Sequence, residues 1–279
     1  MNNYLENLNE EQKLPVLHKD GPLIVIAGAG SGKTRVLTYR IIHLINEGVD
    51  PFNILALTFT NKAALEMKNR ISLITSESVS RSIWMGTFHS IFARILRSEA
   101  PLIGYPTNFT IYDTYDSEKL ISNIIKEKKL DKDTYKAKSI KNRISSLKNN
   151  FITVENYFNN SELIEVDKAA KRDLFGEIYQ EYVRRCFKAS VMDFDDLLLK
   201  TNELLNKSPE TLLKYQQKFK YILVDEYQDT NYSQYLIVKA LADRHENLCV
   251  VGDDSQSIYS FRGATVSYTH LTLPTTTIV

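Results

Sequence analysis

The chain has 279 residues, of which 43% are hydrophobic and 25% charged, with 35 basic and 34 acidic side chains. This composition is ordinary for a globular protein with one or two domains. No apolar run approaches the roughly 20 residues of a membrane-spanning helix, and the polar, acidic first residues argue against a secretory signal. Cys186 and Cys249 lie far apart without C-x-x-C spacing, which argues against a metal site or a disulfide and favours two buried thiols in a reducing cytoplasm.

The first part of the chain alternates short apolar runs with amphipathic stretches of helical spacing. Each strand-like run is followed by a helix-like stretch, and this order predicts a parallel sheet covered by helices. The predicted elements are a strand at 22–27, a helix at 34–48, a strand at 53–59, a helix at 61–74, a strand at 82–88 and a helix that ends at Arg97.

The pattern then changes to a long segment without glycine. No glycine occurs between Gly104 and Gly176, and apart from the short extended piece NFTIYD the segment has a helical pattern. The strand pattern resumes at 220–230 and again at 247–256. The predicted domains are an α/β domain in two segments, 1–105 and 191–265, and an inserted helical subdomain at 106–190.

Positive charge is concentrated in this insertion. Between residues 119 and 150, ten lysines and arginines stand against three acidic residues. Such a local excess could follow a nucleic-acid phosphate backbone. On charge alone, a solvated helix face rich in lysine explains the stretch equally well.

A glycine-rich loop follows the first predicted strand and precedes the first long helix. Its sequence AGAGSGKT ends like a phosphate-binding loop, although Ala27 stands where the common pattern has a glycine. The glycines let successive N–H groups form an anion nest, Lys33 supplies a positive charge for the β- and γ-phosphates, and the Thr34 hydroxyl can bind Mg²⁺. An alanine is tolerated at position 27 if its φ angle is negative. The residues predicted to bind a nucleotide here are Ala27, Gly28, Ala29, Gly30, Ser31, Gly32, Lys33 and Thr34.

Two carboxylates follow a later apolar strand, in the sequence YILVDE. The carboxyl end of a strand in an α/β sheet is where ligands bind, so Asp225 is predicted to hold Mg²⁺ directly or through water. Glu226 is predicted to orient and deprotonate the attacking water of phosphoryl transfer. The alternative is an ordinary pair of acidic surface residues. The four apolar residues before the pair favour the binding site, because they indicate a buried strand.

A third segment, VVGDDSQSIYSFRGA at 250–264, follows another predicted strand. Gln256 is predicted to contact the γ-phosphate, because it lies just past a strand next to the nucleotide. Tyr259, Phe261 and Arg262 follow closely, and aromatic side chains there could stack on bases of a nucleic-acid strand. Without further information the two aromatics would more often be core residues. A segment that touches both nucleotide and nucleic acid is what a motor protein requires.

The motifs of the chain resemble those of superfamily 1 DNA helicases of the UvrD/Rep/PcrA type. AGAGSGKT, TFTNKAALEM, GTFHS, DFDDLL, LVDEYQDT and VGDDSQSIYSFRGA occur in that family's order, and the resemblance covers residues 5–264. Alanine is normal in that family at the position of Ala27. The resemblance implies an α/β fold, a RecA-like P-loop NTPase with a parallel sheet flanked by helices and an inserted, mainly helical subdomain.

The resemblance also implies roles for individual residues. LNEEQ is similar to the family's Q motif, so Gln12 would read adenine, and Arg40 would lie near the base. The segment Asp193, Phe194, Asp195 and Asp196 would be structural or close to DNA rather than metal-binding, and the lysine-rich insertion would lie near the duplex. His89 is also explained by a structural role, and Phe88 belongs to the same motif. The implied DNA-binding residues are Thr58, Phe59, Thr60, Asn61, Thr87, His89, Tyr259, Phe261 and Arg262.

The end of the chain departs from the family's pattern. The second motor domain, which supplies arginine fingers, would follow FRGA, but the chain ends in a threonine-rich stretch. VSYTHL is one translation frame of a transposon-end adaptor used in sequencing libraries, so we expect residues 266–279 to be non-native. Because arginine fingers contribute about 10³–10⁵ in rate, we expect this chain alone to bind ATP weakly and hydrolyse it poorly.

The function implied is that of an ATP-dependent DNA helicase or translocase with 3′-to-5′ polarity in DNA repair or replication restart. Its cofactors would be ATP and Mg²⁺, and its partners single-stranded DNA and single-strand/double-strand junctions. Two alternatives stay open: the helicase portion of a helicase–nuclease, and a non-catalytic ATP- and DNA-binding remnant. The sequence beyond residue 264 of the natural protein would separate them.

Overall fold

The computed structural model describes residues 4–28, 30–253 and 277–278. The chain forms two compact units, one of residues 1–91 with 208–279 and one of residues 92–207. The helices and strands up to the division are α1 Glu10–Leu17, β1 Leu23–Ile26, α2 Lys33–Asn46, β2 Ile54–Thr58, α3 Asn61–Ile74, α4 Glu77–Ser82, β3 Trp84–Thr87 and α5 Phe88–Glu99, within which the division falls.

The elements that follow α5 belong first to the helical unit and then again to the α/β unit. Those of the helical unit are β4 Thr110–Tyr112, α6 Thr114–Glu127, α7 Ala137–Asn149, α8 Val154–Phe158, α9 Ser161–Ala169, α10 Phe175–Lys188, β5 Val191–Asp193 and α11 Phe194–Lys207. Those of the α/β unit are α12 Pro209–Lys218, β6 Tyr221–Val224, α13 Tyr232–Ala242, β7 Leu248–Gly252 and β8 Thr277–Ile278.

The α/β unit is built on a parallel sheet with the strand order β3-β2-β6-β7-β1-β8. Every pair of neighbouring strands runs parallel, with Leu23 of β1 opposite Cys249 of β7 and Ile54 of β2 opposite Tyr221 of β6. All the carboxyl ends therefore meet at one edge. The predicted parallel sheet flanked by helices is confirmed, and the predicted helix at 61–74 has the observed bounds of α3.

The core of this unit explains the strand sequences. Side chains from β1, β2, β6 and β7 pack with apolar residues of α2 and α3 in one buried cluster. In the described residues every position of β2, β6 and β7 is buried, as expected for strands covered on both faces. Cys249 lies inside this cluster, and Cys186 lies in the core of the helical unit; both are buried, as predicted.

The helical unit has its own core, formed by one face each of α6, α7 and α10. The only glycine in α10, Gly176, lies where a Cβ atom would come within 2.8 Å of the Tyr157 ring, so the close contact of α8 with α10 needs glycine there. The short strands β4 and β5 pair in parallel, Thr110 opposite Val191. The predicted helical character of the insertion is confirmed.

The helical unit extends beyond the 106–190 that were expected for the insertion, on both sides. Residues 191–207 belong to this unit because α11 packs on α7 and because Asp193 and Asp196 bind the buried Lys148 of α7. Of the expected non-native tail 266–279, residues 277–278 form β8 beside β1, and the others lie outside the described residues. Within the described part of the chain, no helix is both long and apolar enough to cross a membrane.

Candidate nucleotide site at the carboxyl edge of the sheet

The glycine-rich loop leaves the sheet at the end of β1. The Ala27 N–H donates to the Gly252 carbonyl at the end of β7, at 3.0 Å, which anchors the start of the loop. Ala27 is not among the described residues with positive φ, so its Cβ is tolerated as predicted. Gly30 and Gly32 have φ of +75° and +90°, and a Cβ on Gly32 would meet the Gln12 side chain at 2.8 Å. The left-handed backbone at these two positions therefore favours glycine.

The loop runs directly into helix α2, whose first residue is Lys33. Gly32 occupies the N-cap position and has no side chain that could bind the first N–H groups of the helix. The Lys33 ammonium donates to the Ala27 carbonyl at 3.0 Å and to the Gly28 carbonyl at 3.4 Å. It also lies 3.7 Å from the Asp253 carboxylate. Free helix N–H groups next to an ammonium form a site suited to phosphate oxygens.

A hydroxyl and a carboxylate meet beside this loop. The Thr34 hydroxyl donates to Asp225 Oδ2 at 2.9 Å, although Asp225 follows β6, which is two strands away from β1 in the sheet. Asp225 is only 1% exposed. Burial raises the pKa of its carboxyl to about 6, and the Thr34 hydroxyl works in the opposite direction. A buried carboxylate and a hydroxyl supply the hard oxygen ligands that Mg²⁺ prefers, so the residues fit this ion.

The next residue, Glu226, has a left-handed backbone with φ +49° and ψ +45°. Its N–H donates to Asp225 Oδ1 at 3.0 Å, so the two acidic residues are locked together through the main chain. Its carboxylate accepts a hydrogen bond from the Gln228 amide at 2.7 Å. A left-handed non-glycine residue is rare outside turns and functional sites.

Gln12 reaches the loop from helix α1. Its amide donates to the Ser31 carbonyl at 2.8 Å. Its backbone N–H and its side-chain oxygen form a capping box with Asn9 at the start of α1. Gln12 thus contacts the glycine-rich loop, while its reading of adenine stays a prediction.

Arg40 lies away from the loop, inside the unit. Its guanidinium is 1% exposed. It donates to the Pro15 carbonyl at 2.8 Å, the Lys19 carbonyl at 3.1 Å and the His18 carbonyl. These carbonyls belong to the end of α1 and the residues just after it. Arg40 thus ties α2 to the end of the helix that carries Gln12.

The residues expected to contact DNA that follow β2 and β3 lie at the same sheet edge, on the other side of β6 from β1. Phe59 is partly buried, and its ring contacts that of the buried Phe88, 5.6 Å between centroids. Thr60 is exposed and caps α3, where Asn61 begins the helix. Thr58 is 1% exposed and bonds to the Thr60 carbonyl, so its side chain is internal.

The segment after β3 offers a second group at this edge. Thr87 is partly exposed. Its hydroxyl accepts a hydrogen bond from the Ser90 N–H at 3.3 Å, in the first turn of α5. His89 is partly exposed. The edge therefore carries two groups of residues, one in the loop after β1 and one after β2 and β3. The carboxylates that follow β6 lie between them. The other predicted site residues, Ala29, Gln256, Tyr259, Phe261 and Arg262, lie outside the described residues.

Two residues of this site had no predicted role. Gln228 is 6% exposed, and its side chain joins Glu226 to the Asp253 N–H at 3.0 Å. Asp253 is 5% exposed and faces Lys33. Both lie inside motifs that were recognised, LVDEYQDT and VGDDSQSIYSFRGA, but the spacing of the motifs does not reveal which strand ends are neighbours.

A parallel sheet whose first strand enters a glycine-rich loop, with Lys33 at the start of the next helix and Thr34 bonded to the carboxylate that follows β6, defines a P-loop NTPase fold. The family described as UvrD/REP helicase N-terminal domain matches residues 8–272, and the chain belongs to this family.

Relatives named ATP-dependent DNA helicase PcrA match nearly the whole chain. The Bacillus subtilis protein is 47% identical over 267 residues, and those of Staphylococcus epidermidis and Staphylococcus aureus are 46% and 45% identical over 270. Each comparison covers 95% of this chain and 35% or 36% of the relative. The chain thus spans about a third of the length of these curated relatives.

Proposed function

We propose that this chain is the ATP-binding part of an ATP-dependent DNA helicase or translocase that moves 3′ to 5′ on single-stranded DNA. The observation that carries the proposal is the hydrogen bond between the Thr34 hydroxyl and the Asp225 carboxylate, 2.9 Å long, next to the Lys33 ammonium. A hydroxyl, a buried carboxylate and an ammonium at the start of a helix are the groups that Mg²⁺ and nucleotide phosphates need.

In this proposal each residue has a separate task. Lys33 and the first N–H groups of α2 bind phosphate oxygens, while Thr34 and Asp225 hold Mg²⁺, which would neutralise charge on those oxygens. Glu226 orients the attacking water and accepts its proton. Gln12 recognises the adenine from α1, and Gln256 contacts the γ-phosphate.

The test of the nucleotide site is equilibrium binding of a fluorescent ATP analogue in Mg²⁺. Lys33→Ala is expected to weaken binding about 30- to 100-fold, because a charge-assisted contact to phosphate is lost. Lys239→Ala, an exposed lysine of α13, serves as the matched control and should bind like the unchanged chain. Equal affinity of the Lys33→Ala variant and the unchanged chain would refute the site.

The DNA partners proposed are single strands and their junctions with duplex, contacted by Phe59, Thr60, Asn61, Thr87 and His89 at the strand ends, and beyond them by Tyr259, Phe261 and Arg262. Phe59→Ala should weaken binding of a fluorescent single strand about 5- to 100-fold, because base stacking is lost. Phe52, which precedes β2 and is 55% exposed, provides the control Phe52→Ala. Melting temperatures of both variants separate lost stacking from lost folding, and equal weakening by both variants contradicts the assignment.

The lysine-rich insertion is proposed to approach the duplex through its exposed cations, such as Lys126, Lys129 and Lys138. Lys148, with 0% side-chain exposure, takes no part in this contact. Charge reversal of the exposed lysines should lower the affinity for duplex DNA. The affinity of the unchanged chain should fall steeply as the salt concentration rises.

The whole protein is proposed to act in DNA repair or replication restart, in the cytoplasm, where its free thiols stay reduced. Unwinding of 3′-tailed but not 5′-tailed duplexes by the complete protein tests the polarity. We further propose that the 279-residue chain alone hydrolyses ATP poorly. Robust DNA-stimulated phosphate release by the purified chain would contradict that.

A further inference from the structure

Gln228 connects Glu226, which follows β6, with Asp253, which follows β7. It lies in the 3₁₀ turn Tyr227–Asp229 that follows β6, and its side chain is buried. Its amide nitrogen donates to Glu226 Oε2 at 2.7 Å, and its amide oxygen accepts from the Asp253 N–H at 3.0 Å. Both ends of one amide are therefore used, one on a carboxylate and one on the end of a neighbouring strand.

The backbone of Glu226 is already fixed by other contacts. Its left-handed conformation and its N–H bond to Asp225 determine where the side chain starts. The side chain itself has three rotatable bonds, and holding its carboxylate in one place costs conformational entropy unless a partner binds it. Gln228 is the partner that supplies this bond.

We propose that Gln228 is a positioning residue that holds the Glu226 carboxylate in place and links it to the end of β7. The inference rests on the proposed function of Glu226 in orienting water. Asp253, on the other side of the amide, also faces Lys33 at 3.7 Å, so the contacts run without a break from the water-orienting carboxylate to the phosphate-binding ammonium.

Two substitutions separate the two hydrogen bonds of Gln228. Gln228→Met keeps the length of the side chain and removes both bonds. Gln228→Glu keeps an acceptor for the Asp253 N–H but places an oxygen opposite Glu226, where repulsion replaces the bond. A residue that only held the end of β7 would tolerate the glutamate; a residue that positions Glu226 would not. Gln216, whose amide donates to the Ala240 carbonyl at 2.8 Å away from the site, provides the control Gln216→Glu.

The functional readout is phosphate release from radiolabelled ATP, measured over hours with the 279-residue chain, together with the affinity for the fluorescent ATP analogue. Both Gln228 variants should lower kcat about 10- to 100-fold, because a misplaced catalytic group costs rate steeply, while the nucleotide affinity stays within about twofold. Unchanged kcat in Gln228→Glu, or equal losses of kcat and affinity, would overturn the inference.

A spectroscopic readout does not depend on hydrolysis. The Gln228 side-chain amide signals in a ¹H–¹⁵N spectrum, assigned by their loss in Gln228→Met, should exchange more slowly than those of exposed glutamines and should shift in Glu226→Ala. Signals that exchange freely and ignore Glu226→Ala would refute the positioning role. If instead the unchanged chain fails to bind nucleotide, the proposed function fails, while this spectrum still reports on the amide bridge.

Discussion

Both units of the chain bury carboxylates, but they neutralise them differently. In the helical unit, Lys148 lies within 2.7 Å of Asp193 and 2.8 Å of Asp196, and the Tyr182 hydroxyl donates to Asp193 at 2.8 Å. In the α/β unit, the hydrogen-bond donors to Asp225 within the described residues are the Thr34 hydroxyl and the Glu226 N–H. A buried carboxylate that bonds to its own buried cation is part of the structure. One whose hydrogen-bond donors are neutral, with only a minor contribution from the Lys33 charge, can accept a cation from outside.

The protonation behaviour follows this difference. Burial acts to raise the pKa of Asp193, but the charge and hydrogen bond of Lys148, together with hydrogen bonds from the Tyr182 hydroxyl and the Asp196 N–H, outweigh it and lower the pKa of that carboxyl. Burial and the neighbouring Asp193 charge raise the pKa of Asp196 to about 6. Burial, with a smaller contribution from the Glu226 charge, raises the pKa of Asp225 to the same range. Lys148 thus stabilises the charged form of Asp193. Asp196 contacts the same lysine but is easier to protonate.

The largest effect is expected from removing the buried cation. Lys148→Met should lower the free energy of unfolding by about 3–5 kcal/mol at pH 7, because two buried carboxylates lose their partner. Urea unfolding followed by circular dichroism measures it. Lys138→Met, an exposed lysine on the same helix, should change stability by less than about 0.5 kcal/mol. A loss below about 1 kcal/mol for Lys148→Met would show that the two kinds of carboxylate do not differ as described.

A smaller effect of opposite sign is expected at the sheet edge. Asp225→Asn should raise the free energy of unfolding of the nucleotide-free chain at pH 7.5 by about 2 kcal/mol, because the charge no longer has to be buried. The raised pKa means that the folded chain binds more protons than the unfolded chain between about pH 4 and 6. Stability of the unchanged chain therefore falls as the pH rises through that window, and the substitution should remove this part of the slope.

The control for this comparison is Asp243→Asn, an exposed aspartate after α13, which should stay within about 0.5 kcal/mol of the unchanged chain. The same Asp225→Asn variant should lose its Mg²⁺-dependent affinity for nucleotide. A less stable Asp225→Asn variant at pH 7.5 would mean that the carboxylate is already compensated inside the fold.

The smallest change in stability is expected at Asp196. Its carboxyl has a raised pKa like that of Asp225, so its ionisation also opposes folding as the pH rises between about 4 and 6. It nevertheless bonds to Lys148, and losing that bond offsets the gain. Asp196→Asn should therefore stay within about 1 kcal/mol at pH 7 and show a flatter pH dependence in thermal melts. A loss as large as that in Lys148→Met would mean that both aspartates are needed to balance the lysine.

Much of the fold could be predicted because the signals are local. Apolar runs between loops gave the strands, helical spacing gave α2 and α3, and the long stretch without glycine gave the helical unit. The phosphate loop was equally local, since glycines, Lys33 and Thr34 are contiguous. Arg40 shows the limit: the resemblance implied a place near the base, which stays a prediction, while its carbonyl partners at the end of α1 could not be predicted because no spacing rule connects the two.

The sequence alone determined the chemistry of the chain: which residues form the loop, which carboxylates follow a strand, and which motifs occur in order. Tertiary structure decided how these are combined. The strand order sets β6 two places from β1, which brings Asp225 to Thr34, and sets β7 beside β6, which brings Asp253 to Gln228. It also decided that Lys148, one of ten cations in a basic stretch, is a buried counter-ion. The physical reason is that contacts between residues distant in sequence depend on chain topology and burial, which local patterns do not encode.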